Sequence, residues 1–391
     1  MSLRAGLARR LRGAEPPLEA PRVPFMLEAL RDGAAPLAAR AAAEGGALRV
    51  ALVIPQFRRG SGGHKTIADL VRGLEDRGHR LELLLIDEEG RHAGQADDAA
   101  LRALFIDFFG PVGADVRRLR DPGAFGGADV VVATGWQTVP AVLRMPGAGA
   151  RAYLVQDHEP EFYATSIERE WAAWTYRQGL HAICASPWLA ELVTDMYGST
   201  ASSFDLGVDH DTYRNANAAR SGNTILLYAR PTTPRRAVPL ALLALEELHR
   251  RRPSVDIALF GESRPIATPF PHRDLGVLTP PQLAQQYATA TLGIVLSLTN
   301  PSLVPTEMLA CGLPVVDLDV PSMRTTFAVL DALELAPPDP LALATAIDHL
   351  LDDPGLRAHR TATGLALTAQ RTWPNAAAQV ESGLRAALQT S

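Results

Sequence analysis

Cysteine, long apolar runs and excess positive charge are all scarce in this chain of 391 residues. The two cysteines, Cys184 and Cys311, lie far apart in apolar segments, which excludes a disulfide framework and a cysteine metal site and fits a reducing cytoplasm. No apolar run reaches about 18 residues, so the sequence predicts no membrane-spanning helix. A formal net charge of -5 argues against a surface that binds nucleic acid.

The amino-terminal segment departs from that acidic balance. Four arginines between positions 4 and 12 alternate with leucines, without the long apolar core of a secretory signal. Two interpretations stay open: a basic amphipathic helix that contacts an anionic membrane surface, or a solvated terminus. We expect a cytoplasmic protein, with peripheral contact at the inner face of the cytoplasmic membrane as the alternative. A Pro-rich linker at 14–24 and a helix across 25–45 are predicted next.

Short aliphatic runs that alternate with helical stretches dominate the rest of the chain. Such runs are typical of strands buried in a parallel sheet, and they occur in two series. The predicted strands cover 48–55, 80–87, 129–133, 152–156 and 181–185, then 224–229, 255–260, 275–278, 292–296 and 314–318. We therefore predict the α/β class, with two Rossmann-like doubly wound domains facing each other across a cleft. Ligands bind outside the carboxyl ends of strands in such sheets, so the cleft is the expected site.

The domain limits follow from the two series of strands. Residues 1–47 form an amino-terminal extension and 48–213 the first Rossmann-like domain. Residues 214–371 form the second Rossmann-like domain, and 372–391 a carboxy-terminal helix. The polar start of the second domain, 214–223, is the predicted hinge.

A glycine-rich loop follows the first predicted strand and opens a helix. Gly60, Gly62 and Gly63, followed by His64 and Lys65, allow backbone N–H groups to approach a phosphate or sugar closely. The spacing matches neither the dinucleotide fingerprint nor a Walker loop. The alternative is an ordinary turn between strand and helix, although three glycines beside basic residues exceed what such a turn requires.

An arginine cluster occupies the corresponding place in the second domain. Arg230, Arg235 and Arg236 follow the first strand of that domain within seven positions. A guanidinium offers planar, bidentate donors to phosphate oxygens. We predict that Arg230 and Arg235 hold a diphosphate, that Arg236 is solvated, and that no metal is needed because the arginines neutralise the leaving group.

Ionisable residues crowd after the strand predicted at 152–156. Asp157, His158 and Glu159 stand there in succession, followed by a proline and two aromatics. Such crowding shifts pKa values and suits acid–base work or recognition of sugar hydroxyls. We predict that these three residues are catalytic. A solvated acidic turn is the alternative.

Glu307 is a lone carboxylate in a short apolar segment that ends at Gly312 and runs into an aliphatic strand. We predict that it lies in the first turn of a helix, beside free backbone N–H groups that also stabilise phosphates. There it would accept hydrogen bonds from a ribose diol. An acid that merely caps the helix is the alternative.

Three further positions carry weaker signals. Gly261 follows a predicted strand at the edge of the cleft, and Trp136 either lines the acceptor side or packs in the core. Ser186 precedes a proline and is predicted to cap a helix, a structural role.

Together these segments resemble the retaining family 4 glycosyltransferases of the GT-B fold, over roughly residues 48–388. Three segments, 62–67, 155–163 and 228–231, are similar to WsaF-type rhamnosyltransferases, which build surface polysaccharides from dTDP-β-L-rhamnose. The resemblance implies sugar transfer to a hydroxyl with retention at the anomeric carbon, the departing diphosphate taking the proton. It implies two partners, a nucleotide-sugar donor and a glycan acceptor, with a lipid-linked glycan as one alternative. It implies no metal or other cofactor.

The site residues that the resemblance implies fall into two groups. The catalytic group is Asp157, His158 and Glu159, the three residues that follow the 152–156 strand. The donor-binding group comprises Gly62, Gly63, His64, Arg230, Arg235, Gly261, Ser302, Leu303 and Glu307.

The sequence departs from the family pattern at two places. Thr299 replaces the first of two glutamates that many members place eight residues apart, and Arg235 stands where lysine is common. The turn from Asn300 to Ser302 would then supply donors to the sugar, and a deoxysugar without a 6-hydroxyl needs fewer polar partners. Two other functions stay open: a nucleotide-sugar 2-epimerase, which needs no acceptor, and a non-catalytic nucleotide-sugar or glycan binder.

Overall fold

The computed structural model describes residues 23–38, 45–88, 90–220, 222–327 and 331–390. Two parallel β-sheets are found there, each with helices packed on it, which confirms the predicted α/β class. The basic segment before residue 23 lies outside the described residues, so the interpretations of it stay predictions.

The strands and helices of the described residues have the following bounds. The strands are β1 (Arg49–Pro55), β2 (Arg80–Ile86), β3 (Asp115–Arg118), β4 (Ala128–Ala133), β5 (Ala148–Val155), β6 (His181–Cys184), β7 (Ala201–Ser203), β8 (Thr224–Tyr228), β9 (Asp256–Phe260), β10 (Arg273–Asp274), β11 (Leu292–Ile294), β12 (Val315–Leu318) and β13 (Glu334–Ala336). The α-helices are α1 (Met26–Asp32), α2 (Gly62–Asp76), α3 (Asp98–Phe109), α4 (Val139–Arg144), α5 (Ile167–Thr175), α6 (Pro187–Tyr197), α7 (Val238–Arg251), α8 (Pro280–Thr289), α9 (Leu303–Ala310), α10 (Pro321–Phe327), α11 (Pro340–Asp352), α12 (Pro354–Thr368) and α13 (Trp373–Thr390).

Both sheets are doubly wound. The first has the strand order β3-β2-β1-β4-β5-β6-β7, and the second has the order β10-β9-β8-β11-β12-β13. In each sheet the chain starts at a central strand, β1 or β8, winds to one side and then crosses to the other. The crossover point, where the strand order reverses, opens a crevice at the carboxyl ends of the strands.

Burial explains which strands the sequence could predict. Residues 50–54 of β1 and all of β6 are buried, because helices cover both faces of the sheet. The strands β3, β7 and β13 were not predicted, since they are short and partly polar or partly exposed. The strand predicted at 275–278 is displaced: β10 is Arg273–Asp274, and backbone hydrogen bonds to β9 continue only as far as Gly276. Leu275 and Leu278 pack against the core, whereas Val277 is exposed.

The helix predicted across 25–45 is also wrong in length. Helix α1 ends at Asp32, where Gly33 follows with a φ of 68°, and 34–38 are not helical. Residues 39–44 lie outside the described residues. No helix among the residues that the structure describes is both long and apolar enough to cross a membrane.

The carboxy-terminal helix α13 packs on the first sheet although it ends the chain. Its buried face includes Ala376, Ala377 and Val380, which join the core of that sheet. Helix α2 meets it so closely that a Cβ on Gly73 would lie 2.6 Å from the Cβ of Ala377. The chain therefore crosses between the two domains twice, once through the predicted hinge and once before α13.

Candidate active site

The predicted catalytic loop and the predicted arginine pair meet across the domain boundary. Asp157 follows β5, and Arg235 lies in a short 3-10 helix, Pro234–Arg236, after β8. The Nε of Arg235 donates a hydrogen bond of 2.8 Å to Oδ2 of Asp157. The carboxyl edges of the two sheets therefore face each other, as expected for a cleft between doubly wound domains.

Asn300 joins the two domains through four hydrogen bonds. Its backbone N–H donates to Oδ1 of Asp157 at 3.1 Å, and its Nδ2 donates to the carbonyls of Gln156 and Ala185 at 3.0 and 3.2 Å. Its Oδ1 accepts a hydrogen bond of 2.6 Å from the hydroxyl of Ser186. The residue is fully buried. Asn300 was predicted to contact the sugar, but its side chain is bound between the domains.

Arg236 is buried, so the prediction that it is solvated was wrong. Only 7% of its surface is exposed, and its Nη1 donates to the hydroxyl of Ser297 at 2.8 Å. The N–H of Ser297 in turn donates to Asp317 Oδ1 at 2.7 Å. Burial lowers the pKa of Arg236 and raises the pKa of Asp317 to about 7. These groups fix the loop that carries Asn300.

Glu159, the third of the predicted catalytic residues, has its carboxylate bound to other parts of the first domain. Its Oε1 accepts a hydrogen bond of 2.8 Å from the hydroxyl of Tyr153, and its Oε2 accepts one of 2.7 Å from the backbone N–H of Trp136. Burial raises the pKa of its carboxyl to about 7, although both of these donors favour the ionised form. Glu159 therefore anchors the loop to β5 and to the turn after β4.

His158 is also held within the protein. Its Nε2 lies 2.7 Å from the hydroxyl of Tyr197, and burial lowers the pKa of its imidazole. Asp157 and Glu159, its neighbours, are each only 6% exposed. The alternative of a solvated acidic turn is therefore wrong for these three residues, whereas Glu161 beyond them is exposed.

The glycine loop begins helix α2. Ser61 is its N-cap, and the first-turn amides of Gly62 and Gly63 have no acceptor within the helix, as at any helix start. The carbonyl of Gly63 accepts a hydrogen bond of 3.2 Å from Gln156, beside the catalytic loop. The ring nitrogens of His64 lie 2.9 and 3.1 Å from oxygens of Ser61 and Pro55, and burial lowers its pKa to about 4. A neutral, internally bonded imidazole fixes the loop, and a role of His64 in donor binding stays a prediction.

Glu307 lies one turn further into its helix than predicted. Helix α9 begins at Leu303, so Glu307 is in the second turn, and Ser302 is the N-cap. The alternative of a capping acid is therefore wrong as well. Burial raises the pKa of the Glu307 carboxyl to about 7, against the positive charge of Lys65 across the cleft. Among the described residues, its carboxyl has no hydrogen-bond partner.

Other predicted donor-side residues lie around the same edge. Arg230 is half-buried at the end of β8, and its guanidinium contacts no acceptor in the described part of the chain. The hydroxyls of Thr299 and Ser302 are buried without a hydrogen-bond partner. Leu303 packs against the core of the first domain. Arg230 and the unpartnered hydroxyls of Thr299 and Ser302 therefore leave hydrogen-bonding capacity unused at this edge of the second domain.

Two weaker candidates have structural explanations. A Cβ on Gly261 would lie 2.7 Å from the ring of Tyr228, and its φ of 101° also favours glycine. Trp136 is buried and donates from Nε1 to the hydroxyl of Tyr163 at 3.0 Å. Of the two interpretations of Trp136, the packed residue is therefore correct. A donor contact by Gly261 stays a prediction.

Comparison with known proteins places this geometry in a family. Residues 223–348 match the family described as the WsaF C-terminal domain. This range contains Arg230, Arg235 and Glu307. The O-antigen biosynthesis protein RfbC of Myxococcus xanthus is 30% identical over 346 residues, which cover 85% of this chain and 26% of that protein. The D-inositol 3-phosphate glycosyltransferase of Frankia alni is 30% identical over 226 residues, 50% of this chain and 56% of that protein.

The fold agrees with these sequence matches. Anabaena HepE, solved in complex with UDP and glucose, superposes with a TM-score of 0.64 at 15% identity, covering 87% of this chain and all of that one. These matches support a GT-B glycosyltransferase of the family 4 type. They agree with the resemblance seen in the sequence, and the superposition confirms the predicted two-domain GT-B fold. The chain spans about a quarter of RfbC and about half of the Frankia enzyme.

Sequence analysis missed several residues that shape the GT-B cleft. Gln156 and Ser186 contact the opposite loop or domain through hydrogen bonds, and Tyr153 holds the buried Glu159. The ring of Phe162 lies 4.1 Å from Cζ of Arg235. Ser186 caps α6 as predicted, but its hydrogen bond to Asn300 was not foreseen. Except for Tyr153, whose partner is six residues away, these residues have partners that are distant in sequence. Only the phenylalanine, an aromatic within an acidic turn, gave a signal that could have been followed.

Proposed function

We propose that the chain is a retaining glycosyltransferase that moves L-rhamnose from dTDP-β-L-rhamnose to a hydroxyl of a surface glycan. One observation carries the proposal: two arginines stand at the carboxyl end of β8 beside the cleft, and neither Arg230 nor the Nη groups of Arg235 bind an acceptor among the described residues. Free guanidinium edges in a cleft suit a diphosphate. The match to the WsaF C-terminal domain over this region supports rhamnose as the sugar.

The donor would lie against the second domain. Arg230 and Arg235 bind the diphosphate, Glu307 accepts from the 3′-hydroxyl of the deoxyribose, and the first-turn amides of Gly62 and Gly63 approach the donor from the first domain. The buried hydroxyls of Thr299 and Ser302 have no hydrogen-bond partner in the described residues, and a shift of their loop would expose them to the sugar. HepE, a neighbour in fold, was solved with UDP and glucose, which supports a nucleotide sugar as the ligand.

The chemistry consists of one exchange at the anomeric carbon. The bond from that carbon to the diphosphate oxygen breaks, a bond to the acceptor oxygen forms on the same face, and the acceptor proton passes to the departing diphosphate. The carboxylate oxygens of Asp157 and Glu159 and the Nε2 of His158 are bound within the protein, so we assign these residues to shaping the acceptor side. The arginines balance the charge of the leaving group, and the proposed reaction needs no metal.

The proposed acceptor is a glycan under construction for the cell surface, lipid-linked in its simplest form. The printed name of RfbC, an O-antigen biosynthesis protein, supports that class of acceptor. Assembly of such glycans on a lipid would place the enzyme in the cytoplasm, at the inner face of the membrane.

A thermal-shift screen against dTDP, UDP, GDP and ADP, with Mg²⁺ or with EDTA, tests the donor. A ligand at about 100 times its Kd stabilises the folded state by about 2.7 kcal/mol. We expect stabilisation by dTDP in EDTA, followed by acceptor-dependent release of dTDP from dTDP-β-L-rhamnose. Preference for another nucleotide would overturn the donor assignment, and sugar conversion without acceptor would indicate an epimerase. Absence of any nucleotide effect would overturn the proposed transferase.

A further inference from the structure

Arg235 of the second domain is held by two side chains of the first. The carboxylate of Asp157 accepts a hydrogen bond from its Nε at 2.8 Å, and the ring of Phe162 lies against its guanidinium with 4.1 Å from Cζ to the ring centroid. Phe162 is 38% exposed, which is unusual for so large an apolar residue at a domain boundary. The ring keeps this partly exposed position because one of its faces contacts the guanidinium of Arg235.

These two contacts leave most of the guanidinium available. Of its five N–H donors, the single Nε–H is bound to Asp157, while the four donors on the Nη atoms have no acceptor in the described part of the chain. The stacked face and the fixed Nε together define the plane of the guanidinium. The free edge is the one that binds two phosphate oxygens at once.

The groups that hold Arg235 are themselves fixed. Oδ1 of Asp157 accepts hydrogen bonds from the backbone N–H groups of His158 and Asn300, at 2.9 and 3.1 Å. Phe162 ends the 3-10 helix Glu159–Phe162, whose first residue is bound to Tyr153. A long, flexible arginine is thus ordered by a rigid support, which lowers the entropy that a ligand must remove on binding.

Arg236 provides an internal comparison. It is adjacent in sequence, but its side chain is buried within the second domain and bonded to Ser297. No residue of the first domain donates to it or accepts from it among the described residues. The charge of Asp157 acts on both arginines, but direct contacts from the opposite domain are made only to Arg235 among the described residues of this pair.

We propose that Phe162 and Asp157 are positioning residues that orient Arg235 for a diphosphate, so that the anion site is complete only when the two domains are closed. This inference rests on the proposed function and deepens it. Because the support comes from the opposite domain, diphosphate binding and domain closure favour each other, each to the same degree. Closure before the acceptor enters also keeps water from the leaving group.

Calorimetric titration of the full chain with dTDP and with UDP tests this inference. Phe162→Leu keeps an apolar side chain but removes the ring, and we expect it to weaken nucleotide binding about fivefold. Phe162→Tyr keeps the ring and should bind within about twofold of the unchanged protein. In an Arg235→Ala background, Phe162→Leu should add no further loss, because its effect acts through that guanidinium.

Phe108→Leu is the matched control. It removes a ring that lies 4.6 Å from Cζ of Arg59, a pair contained within the first domain, and should leave nucleotide affinity within about twofold. Equal affinity of Phe162→Leu and the unchanged protein, or the same loss in the Arg235→Ala background, would overturn the positioning role. If neither nucleotide binds the unchanged protein, the proposed function itself fails instead.

Discussion

On the first-domain side of the cleft, Asp157, His158 and Glu159 have their polar atoms bound to other protein groups. On the second-domain side, Arg230 and the Glu307 carboxyl have no hydrogen-bond partner in the described residues, and the hydroxyl of Ser302 is buried without one. The ionisable residues of the first-domain side are consecutive in sequence and held within the protein, whereas those of the second-domain side are dispersed along the chain and keep free donors and acceptors.

Crowding of ionisable residues therefore does not by itself assign catalysis, and a catalytic role of Asp157, His158 and Glu159 stays a prediction. Burial raises the pKa of Glu159 to about 7, a value that would suit a general acid, yet Tyr153 and Trp136 already occupy both of its oxygens. A perturbed pKa arises equally in structural networks. Free hydrogen-bonding capacity distinguishes the two sides better than charge density does.

The largest expected effect is on the free side of the cleft. Arg235→Ala should lower kcat/KM for the nucleotide sugar by about 10²- to 10³-fold, because it removes a preorganised donor from the charge that develops on the leaving group. Steady-state kinetics measure this loss. Arg250→Ala is the control: that arginine is exposed and pairs with Glu247 far from the cleft, and full activity is expected. Comparable losses of kcat/KM in Arg235→Ala and Arg250→Ala would show that the loss is not specific to the free side of the cleft.

On the first-domain side, Glu159→Gln should change how stability depends on pH. The folded-state pKa of about 7 exceeds the ordinary value of about 4.5, so the folded protein binds more protons between these values. The carboxyl therefore makes the folded state less stable as pH rises from about 4.5 to 7, by up to about 3 kcal/mol, with no further change above pH 7. Glu159→Gln lacks the carboxyl, so its free energy of unfolding should not fall in this way between pH 4.5 and about 7.

Denaturant unfolding at pH 5 and pH 8 measures that difference. Glu168→Gln is a suitable control, since a hydrogen bond from Ser166 lowers the pKa of Glu168 and any pH effect should have the opposite sign. Identical pH profiles for Glu159→Gln and the unchanged protein would show that Glu159 is ionised in the fold without cost.

Asn300, which forms hydrogen bonds between the two domains, should also be sensitive to substitution. Asn300→Ala leaves the carbonyls of Gln156 and Ala185 and the hydroxyl of Ser186 without their partner, at a cost of about 2–3 kcal/mol in the free energy of unfolding. Denaturant unfolding followed by tryptophan fluorescence measures this loss. Asn375→Ala removes an exposed hydrogen bond and should change stability by less than about 0.5 kcal/mol. Equal effects would mean that Asn300 does not join the domains.

The architecture could be predicted because it depends on local pattern. Buried parallel strands are nearly continuous aliphatic runs, and the glycine and arginine loops follow such strands directly. The strand predicted at 275–278 was displaced because the pairing residues, Arg273–Asp274, are polar and exposed, whereas the apolar run begins only after them. Pattern therefore gave the domains and the edge at which the site lies.

The roles of individual residues at that edge could not be predicted in the same way. Whether Arg235 or Arg236 faces the cleft depends on contacts with residues 61 to 78 positions away. Glu307 lies in the second turn because α9 begins at Leu303, a boundary that no cap in the sequence marks clearly. Spatial partners, not residue types, decide which polar atoms remain available.

The smallest expected effect concerns the pH dependence of donor binding. With a pKa of about 7, the Glu307 carboxyl is mostly protonated at pH 6 and mostly ionised at pH 8. The carboxylate is the stronger acceptor for the 3′-hydroxyl of the deoxyribose, so nucleotide affinity should rise by up to about tenfold over that range relative to Glu307→Gln. The nucleotide phosphates titrate equally in both proteins, and their contribution cancels in the ratio of the two Kd values. A ratio that stays constant from pH 6 to pH 8 would place the deoxyribose elsewhere, and the free carboxyl of α9 would then need a different ligand.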